Sequence, residues 1–121
     1  MRVRVKVWME EEDGHVALSD WRAELLQSVE RHGSLVAAAR ELHIPARTAW
    51  KKVREMEQCW GIRLLCSSSG GARGGTSDLT DDAREILGRY HRLHSGIEDL
   101  VAERYQRLFE TRDPGARAIQ P

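Results

Sequence analysis

The feature that most constrains the fold is a short break between two helical patterns. Residues 35–39 are small and apolar, and they predict a helix over 34–42. The run His-Ile-Pro at 43–45 ends it, because proline disfavours helical geometry in the residue before it. A second helix is predicted over about 45–60. Alanines in the first helix allow a close approach, so the pair predicts a helix-turn-helix.

The second helix is amphipathic. Its predicted buried face follows the i, i+3, i+4 rhythm and comprises Ala46, Ala49, Trp50, Val53, Met56 and Trp60. The other side of the helix carries Arg47, Thr48, Lys51, Lys52 and Arg54, which are therefore expected at the surface. Gly61 is expected to end this helix.

Two further patterns precede the helix pair. Val3, Val5 and Val7 alternate with cations, which predicts a strand with one buried face. A turn at 12–14 and a return strand over 15–18 complete an N-terminal β-hairpin. A helix is then predicted from Trp21, capped by Ser19 or Asp20 and ended by Gly33. Its predicted buried face comprises Trp21, Leu25, Leu26 and Val29.

The aromatic residues are unusual in kind, since four of the seven are tryptophan. Trp8, Trp21, Trp50 and Trp60 all lie in the first half of the chain. Large rings of this type are expected to supply much of a small core.

A β-hairpin is predicted after the helix pair. Residues 62–65 have the pattern of a strand, residues 67–77 have the composition of a flexible loop, and Leu79 is expected in a short returning strand. The run Gly-Gly-Ala-Arg-Gly-Gly at 70–75 lacks the Gly-Lys-Ser/Thr ending of a nucleotide-binding loop. It is expected to form the tip of a wing, with a merely flexible hairpin tip as the alternative.

The last helix is predicted over 80–110, with Thr80 as its cap. A heptad-like stripe on a helix this long is expected to pack against a second copy of the chain. The alternative is that the stripe folds back on its own domain. The predicted dimerisation residues are Ile86, Tyr90, Leu93, Ile97 and Leu100. Residues 111–121 are expected to form a flexible tail.

Charge is balanced overall but unevenly distributed. The formal net charge is zero, yet residues 43–77 carry six cations and two acids, and residues 78–110 carry eight acids and five arginines. A basic, exposed second helix in a helix-turn-helix is typical of DNA binding. The alternative is a solvated helix face without a ligand.

Arg47 is expected to donate two hydrogen bonds to guanine, and Thr48 to contact bases or phosphate. Lys51, Lys52 and Arg54 are expected to contact phosphates, and Arg73 in the wing to reach phosphates or a minor groove. The full set predicted to contact double-stranded DNA is Ser34, Ala46, Arg47, Thr48, Lys51, Lys52, Arg54 and Arg73.

Other functions find no support in the residue patterns. No Ser-His-Asp, Cys-His or paired-carboxylate arrangement is present, so we do not expect an enzyme. His91 and His94 lie three residues apart without an evident third ligand, and neither a metal nor a cofactor is predicted. Cys59 and Cys66 lack metal-binding spacing and are expected to be reduced thiols of a cytoplasmic protein. The apolar runs are too short for a membrane span.

The sequence resembles the N-terminal DNA-binding domain of the ModE family of molybdate-responsive transcriptional regulators. The matching segments are Glu24-Leu25-Leu26, the run from Gly33 to Leu42, Ala49-Trp50, the run 70–75, and Leu79-Thr80. They cover about residues 3–108. The pair Ala-Trp in the second helix, followed by a double-glycine wing and Leu-Thr, is the more specific part.

The resemblance implies a winged helix like that of LysR-type regulators, which dimerises through the last helix with help from the N-terminal region. It also implies that residues 45–54 enter the major groove and that the wing at 70–75 touches the DNA backbone. Two departures stand out. Pro45-Ala46 replaces the family's usual Ser-Tyr or similar pair, so the operator sequence does not carry over. The molybdate-binding domains are missing from this sequence, so a stand-alone regulator is expected.

Together these patterns predict a mainly α, α+β fold. It is a winged helix-turn-helix over 1–79, a dimerisation helix over 80–110 and a tail over 111–121. The predicted function is sequence-specific double-stranded DNA binding by a homodimeric transcriptional regulator of molybdenum- or metal-linked genes. The alternatives are a protein-interaction module on the same fold and a small oxyanion or metal sensor. The operator, the regulated genes and the effector signal stay open.

Overall fold

The structure is a computed structural model that describes residues 1–68 and 76–110. Helices dominate it, and two small antiparallel β-hairpins flank the central helices. The mainly α, α+β class predicted from the sequence is therefore confirmed. In chain order the elements are β1 (Met9–Glu10), β2 (Val16–Leu18), α1 (Asp20–His32), α2 (Leu35–Glu41), α3 (Ala46–Trp60), β3 (Leu65–Ser68), β4 (Thr76–Leu79), α4 (Asp81–Tyr105) and a π-helical turn (Gln106–Glu110).

Local capping sets the helix boundaries where the sequence predicted them. The Ser19 hydroxyl accepts a hydrogen bond from the backbone N–H of Arg22 at the start of α1. Gly33 ends α1 in the left-handed conformation, with φ +66°. The Ser34 hydroxyl caps α2 by accepting from the N–H of Ala37, and the Thr80 hydroxyl accepts from Ala83 at the start of α4.

The break between α2 and α3 is as short as predicted. Leu42 caps α2, and the N–H of Ile44 then donates to the carbonyl of Ala39. His43 adopts a left-handed conformation, with φ +59°. Pro45 was expected to open the second helix, but it is the extended residue before α3, which begins at Ala46.

By its internal contacts the chain divides into two compact units, Lys6–Arg89 and a second formed by Met1–Val5 with the residues from Tyr90 onward. The predicted division at residue 79, between the winged helix-turn-helix and the dimerisation helix, stays a prediction. The core of the Lys6–Arg89 unit is aliphatic. Its most deeply buried side chains are Leu18, Leu25, Leu26, Val29, Leu35, Val53, Met56, Leu64 and Leu79.

The prediction that tryptophans supply much of the core is wrong. Trp8 and Trp21 are 55% and 37% exposed, and Trp50 and Trp60 are only partly buried. The Trp60 indole N–H donates to the carbonyl of Ala17 at 2.9 Å, so this ring lies at the rim of the core.

The N-terminal hairpin is shorter than predicted. The turn at 12–14 and the return strand are present, but β1 is only Met9–Glu10, and residues 1–8 form no strand. The prediction of a strand over Val3–Val7 is therefore wrong. β2 has three residues, and it pairs only with Met9 and Glu10, across a register irregularity.

The second hairpin is shifted along the chain. Leu65 pairs with Leu79 and Ser68 with Thr76, whereas the strand was predicted over 62–65. The carboxylate of Glu57 explains the delay, because it accepts hydrogen bonds from the backbone N–H groups of Leu64 and Leu65 at 2.8 and 3.4 Å. Strand pairing then extends through Ser68 and from Thr76, into the predicted loop. Residues 69–75 lie outside the described residues.

In the second unit, His94 joins the N-terminal segment to the helix. Its Nε2 lies 3.3 Å from the carbonyl oxygen of Val5, and its Nδ1 lies 2.7 Å from the Glu98 carboxylate. The Tyr90 ring stacks on the His94 ring, with centroids 6.0 Å apart. Across residues 1–68 and 76–110, none of the helices has both the length and the apolar character that crossing a membrane requires.

Candidate nucleic-acid interface

Helix α3 separates apolar from cationic side chains. Ala49, Val53 and Met56 form its fully buried row. Arg47, Lys51 and Arg54 have the same spacing, displaced by two residues, and all three are exposed. Two residues correspond to about 200° around a helix of 3.6 residues per turn, so the cationic row lies opposite the core. We call Arg47, Lys51 and Arg54 the cationic row.

The members of this row differ in their surroundings. Among the described residues, Arg47 and Lys51 have no ion-pair partner within 4.0 Å. The guanidinium of Arg54 lies over the Trp50 ring, 5.9 Å from its centroid, which restricts its orientation. The ammonium of Lys52, beside the row, lies 3.8 Å from Glu55 and is partly buried. Two cations at the N-terminal half of α3 are thus available to a ligand.

The smaller predicted contact residues surround the start of α3. Ala46 is its first residue and is partly buried, as is Thr48 two residues later. The Ser34 hydroxyl is engaged as the cap of α2, where it accepts a backbone hydrogen bond. Its own O–H remains a donor, since capping uses the oxygen as acceptor. Arg73 lies outside the described residues.

An ionic network that the sequence analysis missed holds α2 against α1. One Glu41 carboxylate oxygen accepts from the Ser28 hydroxyl and from Arg31, each at 2.6 Å, and the other lies 2.9 Å from His32 Nε2. Arg31 also pairs with Glu24 at 3.0 Å. The hydrogen bonds from Ser28, His32 and Arg31 lower the pKa of Glu41 from 4.5 to about 2.

Glu41 is the last residue of α2, directly before the turn that leads to α3. Its contacts with α1 therefore fix the end of α2 at that turn. Basic residues in the last turn of α1 were visible in the sequence, where they complement the helix dipole. Their shared partner Glu41, nine or ten residues further on, could be identified only once α1 and α2 were packed together.

The base of the second hairpin is anchored to the helices of the same unit. The N–H of Ser77 donates to the carbonyl of Gly33 at 2.9 Å, next to the start of α2. Arg84 in α4 contacts Glu30 at 2.7 Å and Asp78 at 3.1 Å. The hairpin is therefore attached beside the helix-turn-helix, although the predicted wing tip at 70–75 falls outside the described residues.

An open cavity of about 390 Å³ lies at the C-terminal end of α3. Arg54 and Arg63 both line it, together with Glu57, Gln58, Gly61 and Ile62. Arg63 contributed to the predicted basic segment but had no predicted role. Arg63 is therefore a second cation beside Arg54 at the C-terminal end of α3.

The predicted dimerisation residues differ in exposure. Leu93 and Leu100 are 46% and 48% exposed, and Ile97 is partly buried. Tyr90 is only 3% exposed, so its ring is packed within the single chain. Ile86, in the Lys6–Arg89 unit, is partly buried.

Other sites that could compete as functional centres are sparse. No group of three His, Cys, Asp or Glu side chains among residues 1–68 and 76–110 is arranged to hold a metal ion. Cys59 and Cys66 are free thiols. Burial raises the pKa of the Cys59 thiol, which favours its protonated form.

Comparison with known proteins decides the family. Residues 22–84, which include the whole helix-turn-helix and the second hairpin, match the sequence model described as bacterial regulatory helix-turn-helix protein, lysR family. The chain belongs to the LysR family. For this LysR-family chain, the winged helix-turn-helix predicted from the sequence is thereby confirmed.

The resemblance to ModE is also confirmed. The chain is 32% identical over 108 residues to the molybdenum transport protein ModE of Azotobacter vinelandii, covering 89% of this chain and 40% of that protein. It is 30% identical over 81 residues to the molybdenum-pterin-binding protein MopB of Rhodobacter capsulatus, covering 67% of this chain and 30% of that protein. The LysR-family chain thus spans less than half the length of these relatives.

Solved structures share the fold. The crystal structure of a CbnR_DBD–DNA complex superposes with a TM-score of 0.52 at 21% identity, covering 71% of this chain and 92% of that one. Full-length CbnR complexed with target DNA gives a TM-score of 0.53 at 20% identity, covering 71% of this chain and 28% of that one.

Proposed function

We propose that this LysR-family chain binds double-stranded DNA in a sequence-specific manner and regulates transcription. The observation that carries the proposal is the cationic row of α3, which is exposed opposite the core and free of ion pairs at Arg47 and Lys51 among the described residues. In a helix-turn-helix the N-terminal half of the second helix meets the base edges. Arg47 is in that half.

Specificity and affinity are assigned to different side chains. Arg47 donates its two parallel N–H groups to a guanine, and Thr48 contacts a base edge or phosphate beside it. Lys51, Lys52 and Arg54 contact phosphates, which give affinity without reading sequence. The stacking of Arg54 on Trp50 holds its guanidinium at the surface for this purpose.

The start of α3 and the hairpin supply further backbone contacts. Ser34 donates its hydroxyl proton to a phosphate while its oxygen caps α2. Ala46 lets the DNA backbone approach the first turn of α3 because its side chain is small. Arg73, which lies outside the described residues, is included in the proposal from the sequence alone, as a contact to phosphates or a minor groove.

The active form is a homodimer joined through α4. Leu93, Ile97 and Leu100 follow a spacing of four and three residues, and two of them remain about half exposed in the single chain. Pairing with a second copy would bury them. Tyr90 supports this surface from inside the chain rather than touching the partner.

The regulated genes are linked to molybdenum. This part of the proposal is supported by the relatives, whose names refer to molybdenum transport and to molybdenum-pterin binding. The chain spans less than half the length of these relatives, so their likeness is used only to propose the class of target genes.

A mobility-shift titration with genomic fragments at two salt concentrations tests DNA binding. We expect a subset of fragments to remain bound at the higher salt, because base contacts resist salt better than phosphate contacts do. Equal binding of all fragments would contradict specificity, and no binding at either salt concentration would favour the protein-interaction module instead.

A further inference from the structure

A cleft outside the helix-turn-helix is lined largely by apolar and aromatic side chains. It has a volume of about 300 Å³ and lies between residues 6–8, β2 and the start of α1, within the Lys6–Arg89 unit. Val7, Trp8, Val16 and Trp21 form its apolar walls. The volume is at the lower end of the range for small-molecule sites, about 300–1,000 Å³.

The two tryptophans of the cleft are unusually accessible. Trp8 and Trp21 are among the exposed large apolar side chains, at 55% and 37%. The Trp8 indole N–H is already bonded to Glu10 at 2.7 Å, so the ring itself is what this residue offers to a ligand. Indole rings in a concave surface favour a flat aromatic group.

Arg22, which also lines the cleft, does not use all of its side-chain hydrogen-bond donors. Its side chain is only 14% exposed, and its nearest carboxylate is Glu55 at 3.9 Å, beyond direct hydrogen-bond distance. Its Nε is buried and has no hydrogen-bond partner among the described residues. The Arg22 side chain lines the cleft, so its terminal guanidinium N–H groups, rather than the buried Nε, are the donors offered to an acceptor on a bound molecule.

The charges at the cleft limit the ligand further. Lys6 and Arg22 are cationic and Asp20 is anionic, so the lining carries one net positive charge. A single negative charge on the ligand would balance it, whereas a dianion would meet the Asp20 carboxylate. Glu55, which faces Arg22 from α3, offsets part of this positive charge, so more than one negative charge on the ligand is disfavoured.

We propose that this cleft binds a small aromatic monocarboxylate. The ring lies against Trp8 and Trp21, and the carboxylate accepts hydrogen bonds from Arg22 and attracts Lys6. The site is separate from the cationic row of α3, and the proposal is independent of DNA binding.

Titration of the full chain with benzoate, followed by NMR of the four indole N–H signals, tests this directly. We expect the signals of Trp8 and Trp21 to shift with one saturation curve, while those of Trp50 and Trp60 act as internal controls and stay in place. Benzamide has the same ring without the charge, and we expect it to bind at least about tenfold more weakly, the effect of losing one charge-assisted hydrogen bond.

Two variants extend the test. Trp8→Ala removes an exposed ring, leaves the core intact and should weaken benzoate binding about tenfold, as loss of one stacking partner predicts. Arg22→Gln should abolish the preference for benzoate over benzamide. Because Arg22 is nearly buried, its variant is checked by circular dichroism, and Lys6→Gln replaces it if the fold is lost. Val36→Ala, an exposed change on α2, should bind benzoate like the unmodified chain.

Three results would overturn the proposal. They are the absence of any shift at millimolar benzoate, equal shifts of all four indole signals, and equal affinities for benzoate and benzamide. Unchanged benzoate binding by Trp8→Ala would also exclude this cleft as the site.

Discussion

Replacing Arg47 by alanine separates reading of sequence from general affinity for DNA. Arg47 is exposed and forms no ion pair with the described residues, so the folded chain should lose almost nothing: an exposed substitution of this kind changes stability by less than about 0.5 kcal/mol. Any loss of binding is then attributable to the DNA contact itself.

The size of that loss follows from the proposed contact. A bidentate arginine–guanine pair contributes about 1–3 kcal/mol of discrimination, which corresponds to a factor of roughly 5–150 in affinity for each half-site. On random DNA the pair does not form, so affinity should fall by a much smaller factor. Fluorescence anisotropy with a labelled cognate half-site and a shuffled duplex measures both.

Lys51→Ala is the matched control, because Lys51 lies one helical turn further along the same row and is equally unpaired. It should weaken cognate and shuffled duplexes alike and reduce the slope of log K against log salt by about 0.9 per lost phosphate contact. If Arg47→Ala weakened both duplexes equally, or if Lys51→Ala left the slope unchanged, the assignment of roles along α3 would be wrong.

Three other outcomes are expected. His43→Gly relieves the left-handed backbone at φ +59° and should raise the free energy of unfolding by about 1 kcal/mol, measured by urea denaturation; no change or a loss would show that the imidazole compensates for the strain. Because the folded-state pKa of Glu41 is lowered to about 2, its contribution to stability is fully present above its ordinary value of 4.5 and is lost as pH falls towards 2. Glu41→Gln should therefore be less stable than the unmodified chain at pH 7, with the difference shrinking between pH 4.5 and 2, and a difference independent of pH would contradict the network. Leu100→Glu should convert the proposed dimer to monomer in analytical ultracentrifugation without lowering helicity, because Leu100 is 48% exposed, whereas Val36→Glu, at an equally exposed site on α2, should leave it dimeric.

Features that depend on neighbouring residues were predictable from the sequence. Ser19, Gly33, Ser34 and Thr80 mark helix ends in the structure as they do in the sequence, because a cap bonds backbone groups only two or three residues away. The opposite placement of apolar and cationic side chains on α3 was predictable for the same reason, since helical periodicity alone determines it.

Features that depend on packing between distant residues were not predictable from the sequence. The strand predicted over 62–65 begins only at Leu65, and the backbone N–H of the preceding residue, Leu64, donates to the Glu57 carboxylate instead of to a strand. Trp21 has the spacing of a core residue but lies at the edge of α1, exposed beside a cleft. Tyr90 fits the heptad pattern, yet it is buried by its own chain.

The candidate site shows the same division. Arg47, Lys51 and Arg54 could be selected from sequence, because charge and periodicity agree at those positions. The contact of Arg54 with Trp50 and the contacts of Glu41 with three residues of α1 required the folded arrangement. The partners of Glu41 are nine or more residues away, and the contact of Arg54 with Trp50 depends on a rotamer that sequence does not specify.

Selection of bound sequences from a random duplex pool tests the central claim most directly. If a paired copy of α3 reads DNA, the recovered sequences should share two inverted half-sites, each containing a guanine whose enrichment disappears in the same selection with Arg47→Ala. Recovery of unrelated sequences, or of a motif that survives Arg47→Ala unchanged, would contradict the claim that α3 carries recognition.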